Sequence, residues 1–171
     1  IDHDIRQTVL DDDRLSGMGT TLTAIALYRD RAYVLHAGDS RAYRLRGKEL
    51  QQMTKDHSVV QELIDSGAIT EAEAAFHPQR SVLTNVLMGQ GNITPLLVSY
   101  EVKPGDKFLL CSDGLNTVVS NDEIHAALKG EGAISKLVEL TYERGAPDNV
   151  TIILAEVGQS DTETQFLGAA K

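Results

Sequence analysis

The chain reads as an α+β protein: antiparallel strands early and late, with helices grouped between and after them rather than alternating with each strand. Three observations predict this. Apolar residues alternate with polar ones from Thr21 onward, so that Leu22, Ala24, Ala26 and Tyr28 share one face of a first strand. The breaks between the early runs, near Arg29-Asp30 and Gly47-Lys48, are too short for parallel crossovers. After Asn121 the period becomes helical, and the apolar run Val150–Val157 then returns to strand.

The elements follow in order. Ile5, Val9 and Leu10 stand at helical spacing within residues 3–13. Arg31–Ala37, Arg41–Leu45 and Leu50–Met53 continue the antiparallel meander. Residues 54–94 break it and form a flap-like insertion. Val59, Val60, Leu63 and Ile64 predict an amphipathic helix stopped by Gly67, and Thr70 opens another with Glu73 as its capping-box partner. Gly89, Gly91 and Asn92 mark a mobile loop. Strands resume over Leu96–Val102 and Lys107–Cys111, followed by helices over Asn121–Leu128 and Ile134–Arg144. The organisation is therefore one domain over 1–157 and a polar tail or linker over 158–171.

A length of 171 residues fits a single domain with a real core. The net charge of −9 repels nucleic acid and anionic lipid, so neither is an expected partner. No stretch approaches the roughly 20 apolar residues of a membrane span, and no leader peptide is visible. The single cysteine, Cys111, lies in a strand expected to be buried, which suits a reducing cytoplasm.

Three aspartates sit where an apolar run ends or begins. Asp39 follows the run to Ala37, Asp113 follows Phe108–Cys111, and Asp148 precedes Val150–Leu154. Each could be an ordinary turn residue. Together, carboxylates at strand ends can converge on one rim and hold a hard divalent cation. Carboxylate donors favour Mg²⁺ or Mn²⁺, and the five histidines show no zinc-type cluster.

The wording of these sites, in this order, resembles the metal-dependent serine/threonine protein phosphatases, the PPM or type 2C family, in its bacterial form. The resemblance is carried by Gly17-Met18-Gly19-Thr20-Thr21-Leu22, Gly38-Asp39-Ser40-Arg41, Asp56-His57-Ser58 and His77-Pro78-Gln79-Arg80-Ser81. Two late motifs complete it, Gly105-Asp106 through Ser112-Asp113-Gly114-Leu115 and Asp148-Asn149-Val150-Thr151. It implies two stacked antiparallel β-sheets flanked by helices, and hydrolysis of phosphoserine and phosphothreonine in proteins by a water activated between two Mn²⁺ or Mg²⁺ ions. By the same resemblance Asp113 and Asp148 are metal ligands, and Asp39 helps Asp113 hold a third, weaker ion. Gly114 is expected to allow a sharp turn, Asn149 to brace its loop through its side chain, and His57 to anchor the flap. Phosphorylated proteins, and a cognate serine/threonine kinase, are the implied partners. No catalytic side chain is assigned.

The front of the family pattern is missing. No Asp-Gly occurs before Asp113, and Asp2, Asp4 and Asp11 to Asp13 read as one helix's polar face and end. The chain is therefore expected to be the C-terminal part of a larger catalytic domain, with the N-terminal part absent and the chain alone impaired. One alternative is a phosphatase fold kept as an inactive regulatory or phosphoprotein-binding module. Another is a serine esterase of the GDSL type, with Ser40 as nucleophile and Asp122 and His125 as its partners. That enzyme needs a helix after the serine, and the sequence predicts a strand.

Overall fold

The computed structural model describes residues 1–158 and the strand residues 166–168. Helix α1 (Asp2–Asp11) and a 3-10 turn lead into β1 (Leu22–Tyr28), β2 (Arg31–Ala37), β3 (Arg41–Arg46) and β4 (Glu49–Gln52). Helices α2 (Val59–Asp65) and α3 (Glu71–Ala74) follow, then β5 (Leu96–Glu101) and β6 (Lys107–Cys111). Helices α4 (Asp113–Asn116), α5 (Asn121–Lys129) and α6 (Ala133–Glu143) precede β7 (Ile152–Glu156) and β8 (Phe166–Gly168). The strands form two antiparallel sheets, of order β1-β2-β5 and β4-β3-β6-β7-β8. The α+β class expected from the sequence is the one observed. No described helix is long and apolar enough to cross a membrane.

By compactness the chain divides in two. One unit comprises Ile1–Ala24, Val34–Asp39 and Lys55–Val98, the other Ile25–Tyr33, Ser40–Thr54 and Ser99–Lys171.

The second unit holds the main core. In its sheet, Tyr43 of β3 stands opposite Leu109 of β6, which stands opposite Leu154 of β7. Alternation brings Leu45, Cys111 and Ile152 to the same cluster, where they pack with Leu115, Val119, Ile124, Leu128 and Leu137. Cys111 is buried there, as expected. Helix α5 starts with a capping box in which Ser120 and Glu123 satisfy each other's orphan amides. Arg144, at the end of α6, binds the same Glu123 carboxylate, and with Ser120 it holds that acid down to about 2.

The tail needs a correction. Residues 166–168 pair with β7 as a fifth strand, Leu154 opposite Leu167, so this piece of the expected tail belongs to the sheet. Phe166 and Leu167 are two apolar residues in a polar stretch, too short a run to show alternation. The remainder of 159–171 lies outside the described residues. Strand β7 also begins later than expected, at Ile152 rather than Val150.

In the first unit, a pair of histidines ties the end of β2 to the start of the flap. His36 is fully buried, with Nδ1 2.9 Å from Thr23 Oγ1 and Nε2 3.0 Å from the Lys55 carbonyl. The carbonyl accepts only, so Nε2 carries the proton and Nδ1 accepts from the threonine. His57 Nδ1 accepts from Gly38 N at 3.3 Å and lies 3.2 Å from Asn85 Nδ2. Main-chain bonds from His57 N to Gly38 O and from Thr84 N to His57 O complete the anchor. The two rings lie 4.8 Å apart, and burial pushes both imidazoles below their ordinary value.

Both rings are thus neutral in the fold, whereas the unfolded chain takes up protons near the ordinary histidine value of about 6.5. The stability this pair contributes is present above that pH and is lost as pH falls through the lower, folded values. Urea midpoints measured from pH 8 to pH 5 should fall on the acid side, and the fall should flatten in His36→Gln.

Candidate metal-binding strand end

Asp113 and Asp148 are brought to one end of one strand pair. Cys111, the last residue of β6, stands opposite Ile152, the first of β7, and Ser112 N donates to Thr151 O at 3.0 Å. Asp113 is therefore the second residue past the end of β6, and Asp148 lies just ahead of β7. Asp113 is half-buried and Asp148 exposed.

The local sequence fixes both segments. Instead of a simple turn, Asp113 opens the four-residue helix α4, with Ser112 at its N-cap. Ser112 makes no cap bond; its hydroxyl bridges the two loops instead. It donates to Asn149 O at 3.2 Å and accepts from Thr151 N at 3.0 Å. Asn149 N donates to Asp148 Oδ1 at 2.7 Å, which orients that carboxylate. Asn149 thus braces the loop through its main chain, whereas the sequence had suggested its side chain.

Gly114 also has a different role from the one expected. It lies in α4 and is not among the glycines with positive φ. What it provides is room: a Cβ there would sit 2.2 Å from Asn149 O and 2.9 Å from Asn149 C. The two aspartate segments approach backbone to backbone, and only a missing side chain allows it.

Arg41 begins β3 opposite Cys111. Its Nη1 reaches Tyr43 Oη at 3.4 Å. With the Asn116 amide oriented to donate to Ser112 O and Asp113 O, Asn116 Oδ1 accepts from Arg41 Nε at 3.0 Å. Arg41 therefore has a structural role at the sheet end and steadies the turn that carries Asp113.

Asp39 belongs to the first unit, two residues past β2. Gly38 before it has a φ of 111°, and a Cβ there would meet Thr21 Cγ2 at 2.4 Å, so glycine is required on both counts. Among the described residues, no three His, Cys, Asp or Glu side chains are grouped to hold a metal ion. The candidate donors at the end of β6 and β7 are carboxylates, hard oxygen ligands of the kind that fit Mg²⁺ or Mn²⁺ completed by water and other oxygens.

The esterase alternative fails on this geometry. Ser40 runs directly into β3 of an antiparallel sheet, not into a helix. His125 Nε2 lies 2.8 Å from Lys48 O, its own structural partner.

Comparison with known proteins then decides the family. The model of the family described as "Protein phosphatase 2C" matches residues 3–155. The chain belongs to the protein phosphatase 2C family. It is 48% identical over 151 residues to the serine/threonine protein phosphatase PstP of Mycobacterium tuberculosis, covering 86% of this chain and 29% of that protein. It is 35% identical over 156 residues to protein phosphatase PhpP of Streptococcus pneumoniae, covering 89% of this chain and 63% of the relative. The chain thus spans less than two thirds of these relatives. The crystal structure of the M. tuberculosis phosphatase PstP superposes with a TM-score of 0.88 at 43% identity, over 92% of this chain and 68% of that one. A structure of the PstP catalytic domain in complex with two manganese ions superposes at 0.85 and 41% identity, over 92% and 67%. For this 2C-family chain, the two-sheet architecture is that of its solved relatives.

Proposed function

We propose that the full-length protein hydrolyses phosphoserine and phosphothreonine in protein substrates, with Mn²⁺ or Mg²⁺ held by Asp113 and Asp148. The observation that supports this reading is that the segments carrying Asp113 and Asp148 leave and enter one end of the β6 and β7 pair, in a chain of the 2C family. The manganese complex of PstP supports the choice of ion and the number of two. Asp39 is proposed as a ligand of a third, weaker ion.

Phosphate monoesters hydrolyse so slowly in water that charge neutralisation and positioning must supply most of the rate. Bound metal would supply an acidified water and neutralise charge on the phosphoryl oxygens. The chain's own contribution is rigidity. Ser112 ties the two aspartate loops together, Asn149 N orients Asp148, and Arg41 with Asn116 fixes the turn of Asp113. The partners proposed are phosphorylated proteins and a cognate serine/threonine kinase. The compartment proposed is the cytoplasm, in keeping with the lone buried thiol.

Phosphate release from a phosphothreonine peptide by the full-length protein, with Mn²⁺ and with excess EDTA, tests the reading. Release that chelation abolishes supports it. Undiminished release in EDTA would rule out a metal-dependent reaction, and none in Mn²⁺ would favour the inactive binding module.

Gly114→Ala probes the close approach. Its methyl group must push Asn149 away, separating the two carboxylates by an ångström or so. A misplacement of that size costs about a hundredfold in rate. Steady-state assay of a variant with unchanged far-UV circular dichroism should show it, and wild-type turnover would contradict the assignment.

A further inference from the structure

A second polar assembly lies in the first unit, between α1 and the loop Met88–Gly91. Asp2, in the first turn of α1, turns its carboxylate into the loop Met88–Gly91. Gly89 N donates to Oδ1 at 2.7 Å and Gly91 N donates to Oδ2 at 2.9 Å. Both glycines are left-handed, with φ of 74° and 71°. Backbone amides turned to one side in this way form a nest, a concavity that binds anions. The Gly89 amide most of all, helped by those of Gly91 and Met88, holds the Asp2 carboxyl below its ordinary range.

The main chain of an arginine stands beside the nest. A Cβ on Gly89 would meet Arg6 N and Cα at 2.6 Å and Arg6 Cβ at 2.8 Å. Arg6 is exposed and lies one helical turn after Asp2, on the side of α1 that faces the loop. An anion in the nest would therefore have two converging amides and a guanidinium within reach, a set suited to a tetrahedral oxyanion. The resident carboxylate is also lightly held in place. Helix α1 contains no buried residue, so its first turn can withdraw without opening a core.

We propose that the loop Met88–Gly91 is an oxyanion-binding site, that Asp2 is its intramolecular plug, and that Arg6 completes it for a phosphate-type ligand. The site is built from other residues than Asp113 and Asp148 and does not depend on metal. The ligand chemistry is shared by free phosphate and by a phosphorylated side chain. Exchange of plug for ligand would free the first turn of α1, making its position responsive to phosphate.

The experiment is calorimetric titration of the full-length protein in excess EDTA, which silences the metal centre and keeps the two proposals distinguishable. Wild type, Asp2→Ala and Asp2→Asn are each titrated with inorganic phosphate and, separately, with a phosphothreonine peptide. Removing the resident competitor should tighten phosphate binding at least about tenfold, because a competent site is no longer mostly occupied. The Gly89 and Gly91 amide resonances should shift as it binds. Tightening with phosphate alone assigns the site to the free ion, and tightening with both ligands assigns it to phosphorylated side chains as well. The asparagine variant keeps the side-chain shape should the alanine variant fail to fold. No tightening in a folded variant, or binding that leaves both glycine amides unmoved, would overturn the proposal.

Discussion

Asp113→Asn and Asp148→Asn should each reduce turnover of the full-length protein by about a thousandfold. On the proposed assignment, either change removes a charged oxygen ligand and part of the field that neutralises the transition state. Several kcal/mol of stabilisation are lost with it, at roughly 1.4 kcal/mol per tenfold. The replacement is nearly isosteric, and Asn149 N can still find an amide oxygen in the Asp148 variant, so folding should be little changed. Asp39→Asn should leave a clearly larger residual rate, because it is assigned only to a third, weaker ion. Initial rates on a phosphothreonine peptide at saturating Mn²⁺ check the ranking. Equal and mild losses at all three positions would contradict it.

The largest effect on stability is expected at Arg46, the last residue of β3. Its guanidinium binds Asp106 through both carboxylate oxygens, Nε to Oδ1 and Nη2 to Oδ2, each at 2.7 Å. Asp106 also accepts from Lys103 N at 2.8 Å, and its side chain is only 1% exposed. Burial alone would push that carboxyl up, but Arg46 and the Lys103 amide outweigh it and hold the acid below its ordinary range. Arg46→Met keeps the length of the stem and leaves the buried charge without its cation. Breaking a buried pair on one side costs about 3 kcal/mol, the lower end of the usual range because Arg46 is itself partly exposed. Urea denaturation should show the loss as a lower midpoint at unchanged m value. A change below about 1 kcal/mol would mean that water or another cation replaces the arginine.

What the sequence made legible was local. Alternation along Leu22–Tyr28 and Lys107–Cys111 located strands, and the Thr70-Glu73 capping box marked the start of α3, where both of its bonds are observed. The flap-anchoring role of His57 and the core position of Cys111 followed from their settings. Helix α4 escaped because four residues are barely one turn, which leaves no period to detect. Strand β8 escaped for the same reason. Gly114 was read as a turn residue because Asp-Gly is a turn signal, while its actual constraint comes from a loop 35 positions away that only the fold brings near. Arg46 with Asp106 and Asp2 with Gly89 are separated by 60 and 87 positions, and no local pattern foretells either. In the sequence Ser112 is only the neighbour of Asp113, although its hydroxyl joins the two loops. A serine beside a candidate ligand at a strand end was the available signal.

The claim on which the functional reading turns is that Asp113 and Asp148 themselves hold the metal. Calorimetric titration of Mn²⁺ into the full-length protein and into its Asp113→Asn and Asp148→Asn variants tests it without reference to turnover. The account predicts two strong sites in the wild type and loss or marked weakening of at least one in each variant. Unaltered stoichiometry and affinity in both variants would contradict it and place the metal elsewhere.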